Sequence, residues 1–178
     1  KLAEGHMVRG MVRQFFDWNW SGAENDYREA IALNRAYAEA HHELSMLLMR
    51  QKRFPEALRE GRSALSIEPM SARFLNGIGE VEAFSGRHEE ALAVADQLIA
   101  VDSAFLGSYY IQGIAFEQAG RLADAEQAWL RTNPVGFRAR LGYIYARTGR
   151  RKQALQVLDT LATELRNAKD KISIVNRS

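Results

Sequence analysis

Apolar and small residues recur along this chain in paired amphipathic runs, and the pairs repeat at one interval. In Tyr37–Pro69 the residues Ala57, Gly61 and Ala64 are spaced by four and then three, which places them on one face of a helix. The step from Ala23 to Ala57 is the same as that from Ala57 to Ala91 and from Ala91 to Ala125, and each alanine opens a second amphipathic run. The trios Ala23/Tyr27/Ala30, Ala91/Ala95/Leu98 and Ala154/Leu158/Leu161 keep the same spacing. Gly86 and Gly120, each followed by Arg, are one period apart, as are Gly79 and Gly113. Asn34-Arg35 falls one period before Glu68-Pro69. The pattern predicts helices near 2–16, 21–33, 37–51, 54–67, 71–85, 88–101, 105–119, 122–132, 136–148 and 151–166, ten helices in five hairpins.

Local punctuation supports these boundaries. Pro55 suits the first turn of a helix, where its missing N–H costs nothing, and Glu56, Glu89 and Glu90 suit the positive end of the helix dipole. Gly86, Gly120 and Gly149 close the preceding helices, since glycine takes the left-handed C′ conformation at least cost. Ser21 with Glu24 three residues later reads as a capping box for the second helix. Ala154 follows Ala125 five positions sooner than the period requires, so the fourth unit is short and its second helix is expected to end near Asn133-Pro134. Residues 167–178 read as a polar tail, with Ile172, Ile174 and Val175 able to lie back over the end of the array.

A period of about 34 residues built from two helical runs resembles the tetratricopeptide repeat, over nearly the whole chain. The first-helix pairs of large and small residues carry the likeness: Leu44 with Ser45, Ile78 with Gly79, Gln112 with Gly113, and Leu141 with Gly142. The family's closing proline is kept only at Pro69, with Arg35 and Ser103 at the matching places. The resemblance implies an all-α solenoid, one domain over 1–166 with units near 1–35, 36–69, 70–103, 104–134 and 135–166. It also implies a right-handed superhelix with the first helices on the concave side. Family phase puts positions 5, 9, 12 and 13 of each first helix there. In this chain they are Val8, Val12, Phe15 and Phe16; His42, Met46, Met49 and Arg50; Asn76, Glu80, Ala83 and Phe84; Tyr110, Ile114, Glu117 and Gln118; Ala139, Tyr143, Ala146 and Arg147.

Such a groove suits an amphipathic helix or an extended segment, with thioethers adapting to the partner and aromatic rings anchoring it. A competing reading has these side chains simply filling a tight superhelix. No Lys occupies the groove positions, so the clamp that some relatives use for C-terminal carboxylates is not matched. The stretch Phe15–Glu24 also resembles the tetratricopeptide regions of bacterial winged-helix regulators and adenylate cyclases. Trp18 and Trp20 within it are expected to plug the first hairpin, an aromatic clamp for a ligand being the other reading.

Composition adds little until charge is resolved along the chain. With 178 residues, 47% apolar and no cysteine, disulfides, thiolate metal sites and cysteine nucleophiles are excluded. No run approaches the roughly 18 apolar residues of a membrane span, and cytoplasm is the default compartment. The chain opens on Lys1 with helical register already running, so a piece of a longer protein is expected, with a cloning remnant at Gly5-His6-Met7 as the alternative. Residues 1–130 carry 13 basic and 19 acidic groups, net −6, whereas 131–178 carry 11 and 3, net +8. Arg138, Arg140, Arg147, Arg150, Arg151 and Lys152 crowd one hairpin. Either they complement acidic neighbours in the stack, or they receive a polyanion or acidic partner. Nucleic acid is not favoured, because Tyr143 and Tyr145 are the only aromatic residues interleaved there.

The last helix, 151–166, carries more apolar residues than one buried face needs: Ala154, Leu155, Val157, Leu158, Leu161, Ala162 and Leu165. A further repeat or a second copy is expected to cover it. Catalytic signatures fail. His88-Glu89-Glu90-Ala91-Leu92 lacks the second histidine of a zinc-binding HExxH. Glu39 and His42 form one Glu-x-x-His pair where a di-metal bundle needs two. Gly77 and Gly79 precede Glu82 where a dinucleotide fingerprint wants glycine. The expected function is therefore a non-enzymatic, cofactor-free interaction scaffold, a sensory or oligomerisation segment of a larger bacterial protein, with a polyanion-binding module as the alternative.

Overall fold

The computed structural model describes residues 2–132 and 136–175, with side chains through residue 167. Among the described residues there are ten helices and no strand: α1 (Ala3–Phe15), α2 (Trp20–Leu33), α3 (Ala38–Arg50), α4 (Phe54–Ile67), α5 (Ala72–Phe84), α6 (His88–Val101), α7 (Leu106–Gln118), α8 (Leu122–Arg131), α9 (Arg138–Arg147) and α10 (Arg151–Val175). Consecutive helices pair as hairpins and each hairpin packs on the next, while α5 also touches both α3 and α7. The fold is an all-α solenoid.

Small residues set how closely each pair approaches. A Cβ on Gly10 would fall 2.6 Å from the Tyr27 ring, one on Gly113 2.6 Å from the Trp129 indole, and one on Gly142 2.8 Å from Val157. In the second hairpin both partners are small, with Gly61 opposite Ser45, and Ile78 of the next hairpin also reaches Gly61. Glycine on one helix thus admits a large side chain from the other. Tyr27 and Trp129 are fully buried as a result. The apolar residues form two main clusters, one reaching from Met7 to Val81 and one from Ala83 to Ile144.

The hairpin turns repeat with the same period. Trp18, Lys52, Gly86 and Gly120 succeed one another at one full period and all have positive φ, at 54°, 61°, 84° and 75°; Gly149 follows at 74°. The glycines close their helices as expected, and at the first two turns the same conformation is imposed on side chains that disfavour it.

Three expectations need correction. The cap of α2 is Asn19, whose Oδ1 accepts from Gly22 N–H at 2.9 Å, while the Ser21 hydroxyl donates to the same oxygen and Glu24 serves Arg28 and Arg53 instead. The two tryptophans part company: Trp20 packs on the core, whereas Trp18 is 75% exposed on its strained turn and plugs nothing. Finally, α10 continues through residues 167–175 where a polar tail was expected. α8 ends at Arg131, and Asn133-Pro134 lie outside the described residues.

Candidate functional site

The first helices α1, α3, α5, α7 and α9 carry the expected groove positions, and burial divides them. Val8, Val12 and Phe15 on α1 and Phe16 just beyond it are exposed, as are Arg50, Tyr143 and Arg147. Met46, Met49, Asn76, Glu80, Phe84, Tyr110 and Glu117 are half-buried. His42 at 6% exposure and Ile114 at 4% belong to the core, as does Ala83. These three support the surface from beneath and are not free to anchor a partner.

Contacts between successive first helices bring several of these residues together. The Arg50 guanidinium lies 5.6 Å over the Phe15 ring, tying α3 to α1. On the other side of α3, a Cβ on Gly77 of α5 would fall 2.8 Å from the His42 ring and 3.1 Å from the Met46 methyl. His42 also stacks at a tilt on Phe74, centroids 5.1 Å apart, and its Nδ1 is buried without a hydrogen-bond partner among the described residues. Burial, and then the charge of Arg73, lower its pKa to about 4. Toward the far end, Tyr110, Trp129 and Phe137 form an aromatic group with centroids 5.0–5.7 Å apart. Tyr110 is therefore partly structural.

Charges along this surface are mostly committed. Arg73 donates to Glu43 at 2.6 Å, and Arg140 donates to Glu117 at 2.7 Å while Trp129 Nε1 donates to the other Glu117 oxygen. Arg147 donates to the Tyr143 hydroxyl. Glu80 differs: Asn76 Nδ2 donates to it at 2.7 Å, and no basic side chain among the described residues pairs with it. Burial, opposed by Asn76 and then Arg50, leaves its carboxyl above the usual range.

The basic end is knitted into the stack to a similar degree. Arg150 makes a two-pronged pair with Glu126 at 2.9 and 2.6 Å and lies 4.6 Å over the Tyr145 ring. Arg138 pairs with Glu164. Arg151 and Lys152 are exposed. The pairing of Arg150 with Glu126 and of Arg140 with Glu117 joins the fifth hairpin to the fourth, so these two arginines complement acidic neighbours in the stack.

A group that sequence reasoning missed sits between first and second helices. Asp26 is buried and accepts from Arg9 and from Arg13 at 2.7 Å, with His6 Nδ1 3.4 Å away. One period later Glu60, also buried, meets His41 Nδ1 at 2.8 Å. The hydrogen bonds from Arg9 and from His41 hold both carboxyls below their usual range. The available signal was phase: two acids one period apart, at a position the other units give to Val94 and Ala128. Beside Glu60 an open cleft of about 500 Å³ is lined by Arg28, Ile31, Arg35, His41 and Ser63. It lies away from the expected groove.

This geometry defines a helical-repeat protein in which successive hairpins stack and the first helices α3, α5 and α7 touch one another in turn. Tetratricopeptide repeat profiles match residues 19–72 and 76–134, and a further one matches 135–160. The chain belongs to the tetratricopeptide repeat family, whose members bind protein or peptide partners. Among solved structures it is similar to TTC0263, a tetratricopeptide repeat protein of Thermus thermophilus, with a TM-score of 0.75 and 18% identity over 96% of this chain and 99% of that one. It is equally similar to PilW, a type IV pilus biogenesis factor, at 0.75 and 18% over 97% and 82%. YrrB, described as having an unusual peptide-binding site, matches at 0.57 and 17% over 86% and 81%. Among curated proteins none matches. At these identities the likeness concerns the fold. No helix among the described residues is long and apolar enough to cross a membrane.

Proposed function

We propose that this chain is a non-enzymatic interaction scaffold that receives an amphipathic helix or extended segment of another protein on the face of its first helices. The observation that carries the reading is the run of exposed and half-buried apolar side chains along that face. Val8, Val12 and Phe15 lead to Met46 and Met49, and then to Phe84 and Tyr110. A surface of this kind, bordered by Arg50 and Glu117, matches an apolar stripe with polar edges in the partner. The peptide-binding description of one structural relative agrees with it. Placement in a larger bacterial regulator rests on the Phe15–Glu24 stretch alone.

The test uses a photo-crosslinking residue at Val12, with Ser66 on α4 as the control position. Crosslinked peptide is identified by mass spectrometry, synthesised and titrated against the purified chain. Phe15→Ala with Met49→Ala is expected to weaken binding at least about tenfold, as loss of anchoring side chains does. Equal crosslinking from Ser66, or unchanged affinity, refutes the reading.

A second surface lies on α10. Leu155, Leu158 and Leu165 of α10 are 47%, 62% and 59% exposed, although repeat phase puts Leu155 and Leu158 where Leu58 and Gly61 of α4 are buried under the next hairpin. The basic end and the acidic remainder are complementary in charge, which favours a second copy of the chain as the occupant.

A further inference from the structure

Among the described residues of the groove, one half-buried carboxylate is left without a counter-charge. Among the described residues, every carboxylate that is buried or half-buried has a basic nitrogen within 4 Å, with the exception of Glu80. Its neighbours explain why the exception is not filled from within. Arg50, the cation whose charge reaches it, is placed over Phe15 instead; Arg73 is committed to Glu43, and Arg140 to Glu117. Asn76 supplies a single neutral hydrogen bond, to one carboxylate oxygen. The other oxygen has no partner among the described residues and is not buried. Removing a carboxylate partly from water without a counter-charge costs stability, so the fold retains a group it does not satisfy.

We propose that Glu80 receives a cationic side chain, Lys or Arg, that the partner carries within its apolar stripe. The inference rests on the groove reading above and adds the chemistry of the partner to it. Half-buried aliphatic and aromatic side chains from three helices lie along the same face: Met46 and Met49 on α3, Phe84 on α5 and Tyr110 on α7. Tyr110 lies close enough for the Glu80 charge to raise the pKa of its phenol, an effect second to burial. Apolar neighbours suit the methylene stem of Lys or Arg, and the carboxylate suits its head. A partner helix with one basic residue between leucines fits this face, and one with an acidic residue there is rejected.

Three synthetic amphipathic peptides, identical except for Lys, Gln or Glu at the centre of the apolar face, test the idea by fluorescence anisotropy. Wild-type chain is expected to bind the Lys peptide about tenfold tighter than the Gln peptide, the scale of one hydrogen bond between charged groups in a half-buried site. The Glu peptide is expected to bind most weakly. Glu80→Gln is expected to bring the Lys and Gln peptides within about twofold of each other, because it preserves shape and removes only charge. Equal binding of Lys and Gln peptides to the wild type, or a preference that survives Glu80→Gln, overturns the proposal. In that case a Gln peptide still weakened by Phe15→Ala with Met49→Ala leaves the groove reading standing. If no peptide binds the wild-type chain, both readings fall.

Discussion

Gly113 and Trp129 meet so closely in the fourth hairpin that a Cβ on the glycine would fall 2.6 to 2.8 Å from three atoms of the indole. Trp129 is fully buried and cannot turn aside. Gly113→Ala is therefore expected to destabilise the chain by about 2 kcal/mol, overpacking outweighing the alanine's gain in helix propensity of up to about 1 kcal/mol. Gly5, on α1, has nothing within 4 Å of its would-be Cβ, so Gly5→Ala is expected to stabilise by less than about 1 kcal/mol. Urea denaturation of both variants checks the contrast, and a destabilising Gly5→Ala or a neutral Gly113→Ala contradicts it.

Lys52 occupies the turn position that Gly86 and Gly120 fill one and two periods later, at φ 61°. Lys52→Gly is expected to raise stability by about 1 kcal/mol, the cost of the left-handed conformation for a residue with a Cβ. A lowered melting temperature would indicate that the Lys52 side chain makes a contact of greater worth.

His42 titrates in the folded chain near pH 4, below its unfolded value of 6.5, because burial and the charge of Arg73 oppose protonation. Its contribution to stability is complete above pH 6.5, declines as pH falls from there toward 4, and is level below that. The loss approaches about 3 kcal/mol if the whole shift is realised. His42→Gln is expected to flatten the stability profile between pH 6.5 and 4, whatever its effect on the plateau. A profile of the same slope in the variant assigns the titration elsewhere.

Glu80 has the opposite sign. Its folded pKa is raised above the ordinary carboxylate value, so its protonated form favours the fold, and its ionisation costs stability as pH rises above about 4.5. Glu80→Gln is expected to raise the urea midpoint at neutral pH and to change it little near pH 4. A variant less stable than wild type at neutral pH would show that the ionised carboxylate contributes to the fold itself.

Exposed leucines on α10 predict self-association that grows with concentration. Sedimentation velocity is expected to show it, with Leu155→Lys and Leu158→Lys returning the chain to monomer. A monomer at high micromolar concentration in the unaltered chain removes the idea.

Much of the fold was legible because solenoid packing is local. Ala23, Ala57, Ala91 and Ala125 mark the period, since each second helix meets its neighbours in the same way and each contact spans less than two repeat lengths. The turn glycines were legible for a backbone reason, and the same phase exposes Trp18 and Lys52 as residues strained into a glycine's conformation.

Other features depended on geometry that a linear pattern does not carry. Asn19 displaced Ser21 as the cap of α2 because the entry angle of the chain decided which oxygen reaches the free N–H groups. His42 and Ile114 share a phase with Met46 and Tyr110, yet the glycine-permitted approach of α5 to α3 helps to bury His42 and the second core cluster takes Ile114. For the basic hairpin the sequence left acidic neighbours and an acidic partner as alternatives without naming any pair, and only the stack brought Arg140 to Glu117 and Arg150 to Glu126. By itself the sequence determined the period, the helices and the family, because these follow from residues close along the chain. The tertiary structure decided which buried and half-buried carboxylates among the described residues are neutralised and which one, Glu80, is left, because Coulomb energy and desolvation depend on distances between helices that periodicity does not set.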